Sequence, residues 1–186
     1  MLKRAYGDNF CTREEEDKKY IRGYFAVFDS PYYVCGDCYE TIARGAFAST
    51  LVDGDIRALI NHDTSLVIGR TTANTLTLAE DEKGLYGEIL INPNDTDAVN
   101  IYERVKRGDV SQCSFGFDIL DEETEFIENS DAIHWTIKAV KLYEVSVVTF
   151  PAYEETYVSA RSESADKMRE NQAWKIKMHR KLKGGA

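Results

Sequence analysis

Gly108-Asp-Val-Ser-Gln-Cys-Ser-Phe-Gly-Phe117 is the stretch against which the rest of the chain is placed. Its pattern reads as a strand, whose side chains alternate between two faces. Val110, Gln112, Ser114 and Gly116 then share one face, and Ser111, Cys113, Phe115, Phe117 and Ile119 share the other. The large or soft apolar groups make the second face the core side and bury Cys113. Ser114 turns the opposite way, beside Gly116, whose missing side chain leaves room for something to approach. A small hydroxyl facing cleared space suits an attacking serine. It also describes an ordinary exposed strand serine, and taken alone the ordinary reading is the stronger.

Working outward, Asn92-Pro-Asn-Asp-Thr-Asp97 supplies helix-starting residues. Ala98, Ile101, Tyr102 and Val105 follow at i, i+3, i+4 and i+7, and Gly108 closes this helix directly before the serine strand. Upstream, residues 1–19 read as a polar lead-in. Residues 20–28 are rich in aromatic and β-branched side chains and form a strand, broken by Asp29-Ser-Pro31. Residues 32–39 form a hairpin around Gly36-Asp37, and 40–51 have near-helical spacing weakened by Gly45. Strands follow at 55–61, 66–72, 75–79 and 85–91. Downstream come an acidic turn at 121–125, strands at 133–141 and 142–150, and Pro151 as a stop. Trp174, Met178 and Leu182 recur every four residues in a basic terminal helix. Many short strands with few helices predict an α+β fold, with an antiparallel-rich, barrel-like sheet core and a few flanking helices.

At 186 residues the chain fits one body with a sizeable core, and 43% apolar with 30% charged residues is ordinary for a globular protein. No apolar run reaches the roughly 18 residues of a membrane helix, and the charged N-terminus lacks the apolar segment of a secretory signal. Cys11, Cys35, Cys38 and Cys113 in such a chain predict free thiols in a reducing cytoplasm. Cys35-Gly-Asp-Cys38 has the spacing of a zinc or redox pair. Zinc needs two more ligands at comparable spacing, so two hairpin thiols are the expectation, with no cofactor and no metal. The net charge of −9 divides into −14 for residues 1–160 and +5 for 161–186. An acidic body of 1–160 with a basic helical tail of 161–186 argues against nucleic acid as a partner.

A serine nucleophile needs a base to take its proton, and the base needs a third group to orient it. Three histidines are available. His179 lies in the basic tail, where a solvated role is expected. His134 stands beside Trp135 on a strand, as a core or surface histidine. His62 ends the apolar strand Leu59-Ile-Asn-His-Asp63, a place where sheet proteins put reactive groups, although an exposed turn histidine fits equally. For the third member, Glu144 in Leu142-Tyr-Glu-Val-Ser-Val-Val-Thr-Phe150 sits in an apolar strand, where a carboxylate is costly unless paired. A histidine partner accounts for it, as does an edge strand in water. Asp63 is the alternative orienter.

Taken together, five segments resemble the prohead maturation proteases of tailed bacteriophages, and more distantly the herpesvirus assembly protease. They are Gly23-Tyr-Phe-Ala-Val-Phe28, Glu40-Thr-Ile-Ala-Arg-Gly-Ala-Phe47, Ala58-Leu-Ile-Asn-His-Asp63 with Ile68-Gly69, the Gly108–Phe117 stretch, and Leu142 through Pro151-Ala-Tyr153. The resemblance implies a herpesvirus-protease-like fold and a serine endopeptidase that cleaves scaffold and major capsid protein precursors. It puts that activity in the host cytoplasm, inside the assembling procapsid. It assigns the nucleophile to Ser114, the base to His62 and the acid to Glu144. Cys113 stands where an apolar residue such as methionine is common. A homodimer and self-cleavage in the tail enter by the same analogy. A non-catalytic capsid- or scaffold-binding module of the same fold is the competing expectation.

Overall fold

The computed structural model describes residues 1–6, 10–15, 18–127, 130, 132–150, 164–175 and 177–178. Two sheets share one apolar core. In the first, β1 (Leu2–Tyr6), β10 (Gln112–Phe126), β11 (Ile133–Val148), β5 (Cys38–Ile42) and β4 (Tyr32–Cys35) lie in that order. The hairpin of β6 (Arg57–Ile60) and β7 (Asp63–Arg70) joins this sheet through β11. The second sheet is antiparallel, in the order β2 (Phe10–Glu15), β3 (Lys18–Val27), β9 (Gly84–Leu90) and β8 (Leu76–Glu80).

Strand β11 organises the first sheet. One edge pairs antiparallel with β10 along its whole length. The other edge is shared: His134–Ile137 pair in parallel with β5, and Glu144–Val147 in parallel with β6. Between those partners the loop before and within α1 (Ala48–Asp53) meets the free backbone groups. Val140 N–H donates to Ala46 C=O at 3.0 Å, and Leu142 N–H donates to Thr50 Oγ1 at 3.1 Å. Buried backbone donors need such partners, and these hold β11 between its two parallel neighbours.

The core fills the space between the sheets. Ile21, Phe25, Leu85 and Ile89 of the second sheet join Cys113, Phe115, Phe117, Val145 and Val147 of the first in one apolar cluster. Helix α2 (Thr96–Arg107) adds Ala98, Ile101, Tyr102 and Val105 to it. The Asp95 side chain caps this helix by accepting from the N–H groups of Asp97 and Ala98. Gly108 ends it in the left-handed conformation that glycine adopts without a Cβ clash. A smaller cluster of Val34, Cys38, Ile133, Trp135 and Ala165 lies at the far end of β10 and β11, where a helix over 164–175 packs.

Several expectations are corrected. The sheets do not close into a barrel; they remain two open layers. The lead-in is strand: β1 pairs with β10, more than 100 residues along the chain, and β2 forms a hairpin with β3. The helix expected over 40–51 is β5, a turn with Gly45 at φ 86°, and the short α1. Parallel pairing with β11 overrides the local helical spacing there. The acidic segment 121–125 is the outer part of β10, with Glu123 paired to Lys138 of the neighbouring strand. The strands expected at 133–141 and 142–150 are one strand. Its register shifts near Tyr143, where Gly116 pairs with Glu144 but Phe117 pairs with Leu142. That bulge changes the parity of the side chains, which made one strand look like two.

Candidate active site

The site lies where β11 runs between β10 and β6. Ser114 pairs across the ladder with Ser146, and Gly116 with Glu144. On the other edge, Glu144 pairs with Arg57 and Ser146 with Leu59. The bulge at Tyr143 lets Leu142 and Val145 both enter the core while Glu144 faces the Ser114 side. Val110, placed on that side by strict alternation, joins the core instead, because the strand begins only at Gln112.

His62 is delivered by a tight turn. Ile60 pairs with Asp63, leaving Asn61 and His62 as the two central residues of the β6–β7 hairpin. Their φ values are 50° and 61°, the left-handed region that two-residue hairpin turns demand. For a residue with a Cβ this conformation costs roughly 1–2 kcal/mol, so surrounding contacts must hold it. Asn61 N–H donates to Val147 C=O at 3.0 Å, and Asn61 Oδ1 accepts from Thr149 N–H at 2.9 Å. His62 N–H donates to Ser146 Oγ at 3.3 Å. At the other end of the hairpin, Arg70 forks onto both oxygens of Asp55, holding that carboxyl well below the usual carboxylate range.

Glu144 is 3% exposed and both of its oxygens are bonded. Oε1 lies 2.7 Å from His62 Nδ1, and Oε2 accepts from Ser146 Oγ–H at 2.5 Å. An ionised carboxylate can only accept, so this contact calls for the hydrogen on Nδ1, and in the neutral ring that tautomer leaves a lone pair on Nε2. Gly116 makes this possible, since a Cβ there would collide with Glu144 Oε1. The approaching group for which the sequence left room is therefore the carboxylate, accompanied by the Met1 thioether.

Ser114 Oγ and His62 Nε2 are both buried, and among the described residues neither finds a hydrogen-bond partner. Ser114 is 0% exposed, which corrects the expectation of an exposed hydroxyl. Leaving such groups unsatisfied costs roughly 1–3 kcal/mol each, a cost that proteins accept where the group has other work. Cys113 turns into the core as expected. Its thiol donates to Tyr24 C=O at 3.0 Å, beside the register shift in β3.

The other candidates separate cleanly. Asp63 Oδ1 accepts from the N–H and hydroxyl of Ser65, so its carboxylate orients its own turn. His134 Nε2 lies 2.7 Å from Thr41 Oγ1, and its ring stacks on Tyr39, far along β11 from Glu144. His179 lies outside the described residues. Cys38 is buried in the smaller apolar cluster and accepts from Arg169; among the described residues no three His, Cys, Asp or Glu side chains converge on a metal position. Ser146 and Asn61 went unnoticed in the sequence. The signals were there: Ser146 shares a strand face with Glu144, and Asn-His between two strands is a hairpin turn.

A hydroxyl, an imidazole and a carboxylate bonded to that imidazole are thus gathered around β11 on a two-sheet scaffold. The chain belongs to the caudovirus prohead serine protease family, whose model matches residues 8–171. It is 30% identical over 143 residues to the prohead protease of Enterobacteria phage HK97, covering 75% of this chain and 59% of that protein. The chain thus spans less than two thirds of that relative's length. Its fold is similar to that of the bacteriophage T4 capsid assembly protease, with a TM-score of 0.51 at 10% identity, over 81% of this chain and 97% of the other.

Proposed function

We propose that this chain is a serine endopeptidase of procapsid maturation, with Ser114 as nucleophile, His62 as general base and Glu144 as the orienting acid. The observation that carries the reading is the pair of buried, unpartnered atoms, Ser114 Oγ and His62 Nε2, on residues held by one strand. The reaction joins those two atoms. His62 Nε2 takes the Ser114 proton as Oγ attacks the scissile carbonyl, and the imidazolium then hands that proton to the leaving amine. Glu144 keeps Nδ1 protonated and lowers the energy of the charged ring. Water, deprotonated by the same Nε2, hydrolyses the acyl-enzyme.

Family membership supports capsid and scaffold precursors as substrates, the assembling procapsid in the host cytoplasm as the place, and self-cleavage in the tail. A protease domain over 1–160, a tail over 161–186, a homodimer and kinship with the herpesvirus assembly protease belong to the same reading. The test is co-expression with a capsid precursor. Ser114→Ala leaves a folded protein and unprocessed precursor, and unchanged processing in that variant rejects the assignment.

A second reading, a non-catalytic capsid- or scaffold-binding module, draws on the complete burial of Ser114. A serine-reactive phosphonate separates the two. The enzyme is labelled at Ser114 and the label is lost in His62→Ala, whereas the module takes no label.

A further inference from the structure

The Ser146 hydroxyl is bonded twice within the site. It donates to Glu144 Oε2 at 2.5 Å and accepts from the His62 main-chain N–H at 3.3 Å. Ser146 is itself fully buried and faces Ser114 across the β10–β11 ladder. One side chain therefore ties the carboxylate to the backbone of the turn that carries the imidazole.

Each bond has a separate physical effect. A buried carboxylate with one unmet oxygen swings to find a donor, and Oε2 has the Ser146 hydroxyl as its partner. Filling Oε2 leaves Oε1 for Nδ1 and fixes the plane of the carboxylate. The second bond falls on a residue at φ 61°, where the chain relaxes unless it is held. Asn61 secures the turn to Val147 and Thr149, and Ser146 links the turn's backbone to the acid, beside the direct bond from the His62 ring.

We propose that Ser146 is a positioning residue of this site, acting through Glu144 and the His62 backbone to aim Nε2 at the nucleophile. The proposal rests on the reading of Ser114, His62 and Glu144 given above. Ser146→Ala lowers kcat and the rate of phosphonate labelling by about 10- to 100-fold, the loss of a charge-assisted hydrogen bond. KM changes by less than about twofold, because no substrate contact is removed. Ser146→Thr, which keeps the hydroxyl, recovers most of the rate.

The deciding experiment is a double-mutant cycle of Ser146→Ala with Glu144→Gln, read as the labelling rate of folded protein. Once the acid is gone, Ser146→Ala costs far less than it does in the wild type. An equal cost in both backgrounds overturns the proposal, and so does a wild-type rate in Ser146→Ala. Labelling of the wild-type chain is the control. Its absence at Ser114 rejects the triad and Ser146's role with it, while intact labelling with additive costs rejects Ser146 alone.

Discussion

The two halves of the β10–β11 ribbon each gather a hydroxyl, an imidazole and a carboxylate, and they use them oppositely. In the half flanked by β6, His62 and Glu144 have side chains 6% and 4% exposed and meet at 2.7 Å, while Nε2 and the Ser114 hydroxyl are left unpaired. In the half flanked by β5, His134 Nε2 meets the Thr41 hydroxyl at 2.7 Å. Its Nδ1 lies 3.9 Å from Glu125, whose side chain is 60% exposed. The ring is further occupied by stacking on Tyr39 at 4.5 Å between centroids. In the second group the hydroxyl and ring satisfy each other, and only the carboxylate stands in water. What distinguishes the two groups is therefore the distribution of unmet bonds and water, since the residue types are nearly the same.

Exchanging the imidazoles gives the largest contrast. His62→Ala lowers kcat/KM by a factor on the order of 10⁴ to 10⁶. His134→Ala changes kcat/KM by less than about threefold but lowers stability by about 1–2 kcal/mol through the lost stack and hydrogen bond. Cleavage assays and denaturant melts of both variants check this. Equal losses of activity from the two would dissolve the distinction between the halves.

A smaller effect follows from the room made for the acid. Gly116→Ala drives a methyl group into Glu144 Oε1. The carboxylate must shift, and a displacement near 1 Å costs about 10²-fold in kcat, alongside about 1–3 kcal/mol of stability from overpacking. Steady-state kinetics that leave kcat unchanged would mean that Glu144 has another acceptable position.

The smallest effect concerns the bulge that separates the halves. Tyr143 donates its hydroxyl to Asp118 at 2.8 Å and, together with the Met1 amine, holds that carboxyl below its ordinary value. A lowered folded value means that the stabilisation is fully present above the unfolded carboxyl's range, about pH 4, and fades as pH falls through and below it. Tyr143→Phe therefore lowers the melting temperature near pH 7 and loses this effect toward pH 2. Asp118 is 46% exposed, so screening keeps the difference under about 1 kcal/mol. Melting curves across that range decide it, and a loss independent of pH would assign the tyrosine a packing role only.

Much of the site was legible before the structure. The alternation of Cys113, Phe115 and Phe117 placed Ser114 on the other face, and the cost of a carboxylate in an apolar strand pointed Glu144 toward a histidine. Helix α2 was readable from its cap, its apolar spacing and Gly108. What resisted reading depends on partners far along the chain. Strand β1 is a polar segment that becomes a strand by pairing with the distant β10, while β2, equally poor in apolar signal, is held as a hairpin by the neighbouring β3. Residues 40–42 look helical until β11 lies beside them. The continuity of β11 was hidden because the bulge at Tyr143 inverts the side-chain pattern midway. Ser114's burial was hidden for a similar reason, since alternation tells which way a side chain turns but not what covers it.

The placement of β11 also sets a time order. It is the last strand among the described residues to leave the ribosome, yet it lies between the strand that carries Ser114 and the hairpin that carries His62. A nascent chain that has made β6 and β10 has a serine and a histidine with no common support, because Glu144, Ser146 and both pairing edges are still to come. Such long-range pairing, part of it parallel, forms slowly. The His62–Glu144 pair and the Ser146 link are therefore among the last things this polypeptide acquires, and a chain interrupted before residue 144 holds neither.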